Sequence, residues 1–305
     1  MAKKYIGIEG GGTKFVCGWG ECNDRCHDRV VIDTRNPRET MNEVNKYIKE
    51  IRKKVEISAI GVAIFGPLDL DKDSSTYGSV MSSPKLEWQS YPLKRSLEES
   101  TDLPVAIDTD VNGAMMAEAC FGAAKGLTDA IYMTVGTGIG CGAITNGKMC
   151  HGAMHPEMGH ILVPKDMEMD ADFVGVCPYH RDCLEGLASG PSMKERWGVA
   201  SALELGPDHQ AWDLEAKYLA IALVSYTMCL APQRIILGGG VMRQKQLYPK
   251  IRKYFARFNN GFINNTRVND LETYIVPPQL GEDAGVCGAI ALAANQFNEE
   301  EKDCC

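Results

Sequence analysis

The segment PVAIDTDVNGA, residues 104–114, closes an apolar run on two carboxylates, Asp108 and Asp110, just before a helical pattern that begins near Asn112. Ligands of open α/β sheets collect at the carboxyl ends of strands, so an acid there can orient a hydroxyl and accept its proton. That suits phosphoryl transfer, where the protein supplies mostly positioning and charge neutralisation. Asp110 or Asn112 at the same place also suits helix capping, and the spacing alone does not separate the two readings.

A second set of chemically able residues lies in HPEMGHILVPKDMEMDADFVGVCPYHRDCLEG, residues 155–186. Cys177, His180 and Cys183 are three apart, and a tight turn brings such side chains together. With His160 from upstream they make four N/S ligands, the number that a closed tetrahedral zinc site requires. Ordinary spacing of core and surface residues on a helix is the alternative. His155 lies outside this set and is read as a supporting or surface residue.

Three glycine clusters follow strands. The run MTVGTGIGCGAITNGK, residues 133–148, has Gly136, Gly138, Gly140 and Gly142 between an apolar strand, Ala130 to Val135, and the hairpin signal Asn146-Gly147. A dinucleotide loop must open a helix; this one runs strand to strand. Backbone N–H groups of such a turn can still converge on phosphate, although a glycine turn needed only for its geometry looks the same. YIGIEGGGTKFVCGWG repeats the plan near the N-terminus, with Glu9 and Lys14 around Gly10, Gly11, Gly12 and Thr13. A lone acid beside a phosphate loop suffices for Mg²⁺, which keeps most of its waters. Lys14 reads as a phosphate contact or a solvated strand lysine. The third cluster, Gly238 to Gly240, follows the strand Arg234 to Leu237 and precedes an amphipathic helix reaching about Phe258, so it is expected to offer a helix N-terminus. None of the three has the Walker lysine pattern, and together they fit one nucleotide lying across a cleft.

These side chains need a scaffold that places strand ends together. Two glycine hairpins, one opening each half, indicate a duplicated architecture of strands alternating with helices. The first half continues with strands at Ala59 to Phe65 and Val105 to Asp108 and a helix from about Asn112 to Gly122. The second has a long helix near Leu214 to Leu230. With 305 residues and 45% hydrophobic content, two medium domains are the natural division.

The net charge of −8 and a pI near 5.4 argue against a nucleic-acid partner, which requires a basic face. No apolar run approaches the roughly 20 residues of a membrane span, and the N-terminus lacks a signal-peptide pattern, so the protein is expected in the cytoplasm. Most of the twelve cysteines are then expected to be reduced, with Cys17, Cys120, Cys229 and Cys287 as core packing. The charged tail FNEEEKDCC is expected to fray, and Cys304 and Cys305 carry no readable message.

The segments IEGGGTKF, FGPLDL, DTDVNGA, TVGTGIGCG, HPEMGH, CPYHRDCLEG and ILGGGV, in this order from about Tyr5 to Phe297, resemble the ROK family of sugar kinases, most closely its bacterial fructokinase branch. The resemblance implies an α/β, actin-like, hexokinase-type (ribonuclease H-like) duplicated fold, with two domains around a cleft that closes on ATP and a hexose. The domains would be 1–118, completed by a C-terminal helix 286–297, and 119–285 with the zinc-binding segment. It implies ATP-dependent phosphorylation of D-fructose to fructose 6-phosphate. A broader hexokinase acting on mannose or glucose, or a catalytically silent sugar-sensing protein, are the alternatives. A family repressor would carry a DNA-binding module ahead of the first strand, and a strand starting at Tyr5 leaves no room for one.

By the same resemblance Asp110 is the catalytic base. ATP and its phosphates fall to Glu9, Gly11, Gly12, Thr13, Lys14, Gly136, Thr137, Gly138, Gly238, Gly239 and Gly240. Sugar falls to Gly66, Pro67, Asn112, Glu157, His160 and Glu185, the two glutamates being held near the metal knot. Mg²⁺ would accompany ATP, and a structural Zn²⁺ would bind His160, Cys177, His180 and Cys183, leaving the other His160 nitrogen for sugar. The sequence departs from the wider family in Glu9, where aspartate is commoner, and in His180, where a third cysteine is commoner. Family members are often dimers, which implies a homodimer.

Overall fold

The computed structural model describes residues 2–22, 26–82 and 85–297; Cys304 and Cys305 lie outside them. The chain forms two compact units. Unit 1 takes in Met1–Gly126, Met149–His155 and Gln279–Cys305, so far as these are described, and unit 2 takes in Leu127–Lys148 and Pro156–Pro278.

Unit 1 begins with β1 (Lys4–Gly10), β2 (Lys14–Glu21), β3 (His27–Asp33), α1 (Pro37–Arg52), β4 (Ala59–Ile64), α2 (Leu93–Thr101), β5 (Val105–Thr109) and α3 (Asp110–Phe121). Unit 2 has β6 (Ala130–Val135), β7 (Ile139–Thr145), β8 (Lys148–Met149, at its sequence edge), α4 (Leu184–Ala188), α5 (Gly190–Trp197), α6 (Ala211–Leu230), β9 (Arg234–Gly238), α7 (Leu247–Asn259), α8 (Thr266–Asn269), α9 (Leu271–Tyr274) and β10 (Ile275–Val276). The last helix, α10 (Ala284–Phe297), returns to unit 1.

The two sheets have the same plan. In unit 1 the order is β3-β2-β1-β4-β5, antiparallel from β3 to β1 and parallel from β1 to β5. In unit 2, read from the other edge, the order is β8-β7-β6-β9-β10, with β6 antiparallel to β7 and parallel to β9, and β9 parallel to β10. Each glycine hairpin therefore opens a sheet of identical topology, and the fold is the duplicated actin-like, hexokinase-type one.

Side-chain alternation on β4 explains the layers of unit 1. Ile60, Val62 and Ile64 pack with Met41, Val44 and Ile48 of α1 and Leu93 and Leu97 of α2. Ala59 and Ala63 face the other way and accept Ala289, Ile290 and Ala293 of α10. Large residues thus meet large ones on one face, and a small-residue face lets α10 lie close to the sheet. The return to α10 is anchored by Glu118, fully buried, whose carboxylate accepts hydrogen bonds from the N–H groups of Ala123, Gln279 and Leu280.

Several local expectations need revision. α3 starts at Asp110 rather than Asn112 because Thr109 is its cap, its side chain accepting from Asn112 N. Neither Asp110 nor Asn112 is used as the cap. The cluster Gly238 to Gly240 does not open a long helix: a single 3-10 turn, Val241–Arg243, follows it, and α7 begins only at Leu247. Cys120, expected as a free packing thiol, is disulfide-bonded, as is Cys22, since pairing depends on tertiary proximity that spacing does not encode. Cys17 is buried as expected, Cys287 is half-buried, and Cys229, in the last turn of α6, is exposed.

Candidate functional site

In unit 1, parallel β5 delivers its carboxyl end to the turn Asp108–Asn112. Asp108 is 4% exposed. Its Oδ1 accepts from Thr109 N at 2.8 Å and from Asn112 Nδ2 at 2.6 Å, and its Oδ2 lies 3.0 Å from His151 Nε2. That contact lifts the His151 pKa above its ordinary value, against the opposing pull of burial. Asp110, half-buried, is the first residue of α3, and its Oδ1 accepts from Val111 N at 2.9 Å. Asn112 is 1% exposed; its Nδ2 donates to Asp108, and its Oδ1 is buried without a protein partner. Gly66 and Pro67 are joined by a cis peptide directly after β4 and Phe65, and the next amide, Leu68 N, donates to His155 Nε2 at 3.3 Å. His155, read from sequence as a supporting or surface residue, is buried.

The first hairpin turn is fixed by backbone: Gly11 N donates to Lys14 O at 2.8 Å, and the Thr34 hydroxyl donates to Gly11 O at 2.7 Å. Gly12, Thr13 and Lys14 are exposed. Glu9, at the end of β1, has its pKa raised to about 7, first by burial and then by the negative charge of Asp110, with Lys14 and Arg29 pulling the other way. A partly buried carboxylate disfavoured in this way by desolvation and a second acid is a natural seat for a divalent cation. The Glu9 carboxylate also touches the start of α10: a Cβ on Gly285 would overlap it.

Unit 2 assembles the other two glycine clusters. Gly136 N donates to Gly138 O at 2.9 Å, and Gly190 N, at the start of α5, donates to Gly136 O at 2.8 Å. A Cβ on Gly136 would come 4.0 Å from Gly240 N, so the turn after β6 and the end of β9 are neighbours. Gly239, with φ +92°, has the left-handed backbone that lets the chain pass Val135. Glu185 Oε2 accepts from Ile139 N at 2.9 Å, and its carboxylate occupies the space a Cβ on Gly138 would need.

Beside it, His160, Cys177, His180 and Cys183 place one ligand atom each within 4.8 Å of one another. The backbone reason is a tight loop, with Cys177 and Arg181 exchanging hydrogen bonds and Arg181 at φ +62°. Cys177 Sγ lies 3.7 Å from His160 Nδ1 and 3.7 Å from His180 Nδ1, and Cys183 Sγ lies 3.5 Å from His160 Nδ1. Ligands at ordinary Zn–S and Zn–N lengths around a tetrahedron stand about 3.6 Å apart, so the set fits zinc. Burial, with Cys177 adding, pushes the Cys183 thiol up to about 11. Nδ1 of His160 points into this knot, while Nε2 lies 3.9 Å from Glu185 Oε1.

The profile of the ROK family matches residues 5–296. The chain belongs to the ROK family. It is 40% identical to a fructokinase of Pediococcus pentosaceus over 94% of this chain and 96% of that one. It is 39% identical to a fructokinase of Zymomonas mobilis, over 97% and 99%. A solved ROK glucokinase of Streptomyces griseus, in complex with glucose and AMPPNP, superposes with a TM-score of 0.72 at 25% identity, over 96% of this chain and 99% of that one.

Within this ROK chain, unit 1 carries Glu9, Gly11 to Lys14, Gly66, Pro67, Asp110 and Asn112, and unit 2 carries Gly136 to Gly138, Glu157, His160, Glu185, the Cys177, His180 and Cys183 cluster and Gly238 to Gly240. Glu9 and Asp110 are electrostatic neighbours, and Glu185, His160 and the Gly138 turn are adjoining. Glu157 is exposed just before the 3-10 turn Met158–His160. Sequence reasoning missed Thr109, His151 and Gly285. Thr109 had a readable signal, a hydroxyl three residues before the Asn112 amide; the other two meet the candidate site only through partners remote in sequence.

Proposed function

We propose that the chain is an ATP-dependent sugar kinase that transfers the γ-phosphoryl group of ATP to D-fructose, giving fructose 6-phosphate. The observation that carries this reading is Asp110 at the head of α3, electrostatically coupled to Glu9, in a chain about 40% identical to fructokinases over nearly its whole length. Asp110 would accept the proton of the attacking hydroxyl. Mg²⁺, whose charge neutralises the phosphates, would be held against Glu9.

In unit 1, Gly11, Gly12, Thr13 and Lys14 would meet phosphate through an exposed turn, and Gly66 and Pro67 would meet sugar. Asn112 would meet sugar through its side-chain oxygen, since Nδ2 donates to Asp108 while Oδ1 is buried without a protein partner. In unit 2, Gly136, Thr137, Gly138, Gly238, Gly239 and Gly240 would meet nucleotide, and Glu157, His160 and Glu185 would meet sugar hydroxyls. Zinc held by His160, Cys177, His180 and Cys183 would fix the ring of His160. The reading places the enzyme in the cytoplasm, where ATP is available, as a homodimer.

The test is ADP release from Mg-ATP with fructose, mannose, glucose, N-acetylmannosamine and N-acetylglucosamine. Turnover is expected on fructose and should fall at least about 100-fold in Asp110→Asn, the scale of a general base. Preference for another hexose overturns the substrate. Silence with all of them, in folded and zinc-loaded protein, overturns the kinase.

A further inference from the structure

The segment Met149–His155 is grouped with unit 1, although the chain on both sides of it belongs to unit 2. Two imidazoles dock it there. His155 Nε2 accepts from Leu68 N, and its ring lies against Gly66. His151 reaches the turn between β5 and α3, with Nε2 at 3.0 Å from Asp108 Oδ2 and 3.4 Å from Asn112 Nδ2. The Asp108 carboxylate can only accept, so at 3.0 Å Nε2 of His151 carries the proton and gives it to Asp108.

Asp108 is thereby the hub of a clasp. One oxygen takes Thr109 N and the Asn112 amide, and the other takes His151, while Thr109 Oγ1 takes Asn112 N at 3.2 Å. A carboxylate this deeply buried is costly unless its charge is balanced and its lone pairs are filled. Within this clasp His151 is the group able to carry the balancing positive charge, and its exposed side, with 37% of the side chain accessible, keeps it in contact with water. The turn so held is the one on which Asp110 sits.

We propose that His151 is a positioning residue for the phosphoryl-transfer step, acting through Asp108 to hold the turn that carries Asp110. The proposal rests on Asp110 being the base. A base displaced by about 1 Å loses on the order of 100-fold in rate, so the clasp acts on kcat. Nucleotide affinity is not its concern.

The experiment compares His151→Ala, His151→Gln and His151→Asn in the full chain, with kcat and KM for fructose and ATP and thermal unfolding measured on each. The alanine variant is expected to lose about tenfold or more in kcat at unchanged KM for ATP. Glutamine, whose Nε2 can stand where the imidazole Nε2 stands, is expected to recover most of that loss, and the shorter asparagine is not. Wild-type kcat in the alanine variant overturns the proposal. A rise in the KM for fructose at constant kcat also overturns it, making His151 a sugar contact. So does a loss that follows unfolding alone, with glutamine no better than alanine. If the wild type prefers a different hexose, the proposed substrate fails, and the same comparison on that hexose decides His151 independently. A wild type inactive on every hexose removes both.

Discussion

The carboxylate of Glu185 lies 3.9 Å from His160 Nε2 with one oxygen, while the other accepts a hydrogen bond from the Ile139 amide at the end of the Gly136 to Gly138 turn. The Cys/His cluster and the glycine turn of unit 2 therefore share one side chain. Glu185→Gln keeps an acceptor for Ile139 N and removes the charge facing His160. We expect fructose turnover to fall about tenfold, the worth of a charge-assisted hydrogen bond, with zinc content unchanged. Kinetics at the wild-type level would show that the carboxylate is a strut for the turn alone.

Zinc removal should separate the two substrates. His160 Nδ1 points into the cysteine knot, so the orientation of Nε2 depends on the knot staying closed. A chelated sample that remains folded is expected to lose fructose affinity before nucleotide affinity, by calorimetric titration of each. Equal fructose affinity with and without zinc overturns the link. Cys183 must shed a proton that burial holds up to about 11, so zinc affinity should also weaken as the solution is acidified.

Glu9 makes stability depend on pH with a definite sign. Its folded pKa is raised from 4.5 to about 7 by burial and by Asp110. The folded state therefore favours the protonated acid, and this contribution is complete below about pH 4.5 and is lost as pH rises through about 7. Glu9→Gln stays neutral throughout. Relative to wild type it should gain roughly 2–3 kcal/mol between pH 5 and pH 8 in denaturant unfolding, and Mg²⁺ should narrow the gap at pH 8 by favouring the wild-type carboxylate. A difference that does not change with pH counts against the buried, acid-paired Glu9.

Gly285 offers a way to test the proposed Mg²⁺ role of Glu9 apart from folding. Alanine is the better helix former by about 1 kcal/mol, yet its Cβ would overlap the Glu9 carboxylate. Gly285→Ala is expected to raise the Mg²⁺ concentration needed for half-maximal activity several-fold while leaving the unfolding midpoint within a few degrees of wild type. An unchanged Mg²⁺ dependence would show that Glu9 swings aside at no functional cost.

Much of the scaffold was legible because its signals are local. The apolar stretch at Ala59 to Phe65, the Asn146-Gly147 turn and the two glycine hairpins each specify a strand or its reversal without reference to distant chain, and the duplication they suggested appears as one strand order shared by both sheets. The Cys-x-x-His-x-x-Cys run and His160 came together as expected, since a tight loop needs only its own residues. What sequence could not supply was coupling at long range. His151 reaches Asp108 across more than forty residues, Gly285 meets Glu9 from the far end of the chain, and Glu118 secures Gln279 and Leu280. Thr109 took the capping role by virtue of backbone geometry at the end of β5, where Asp110 and Asn112 are equally good caps by residue type.

The order of the chain has a consequence for biosynthesis. Unit 1 is interrupted twice by unit 2, and α10, which covers the small-residue face of its sheet and abuts Glu9, is the last helix of the described residues to be made. A ribosome finishes every described strand of unit 2 before it makes the helix that covers one face of the unit 1 sheet. Unit 1 therefore completes its core only after the strands of unit 2 have been made, and a premature stop that spares residues 1–278 yields a chain with both glycine hairpins and no α10 against Glu9.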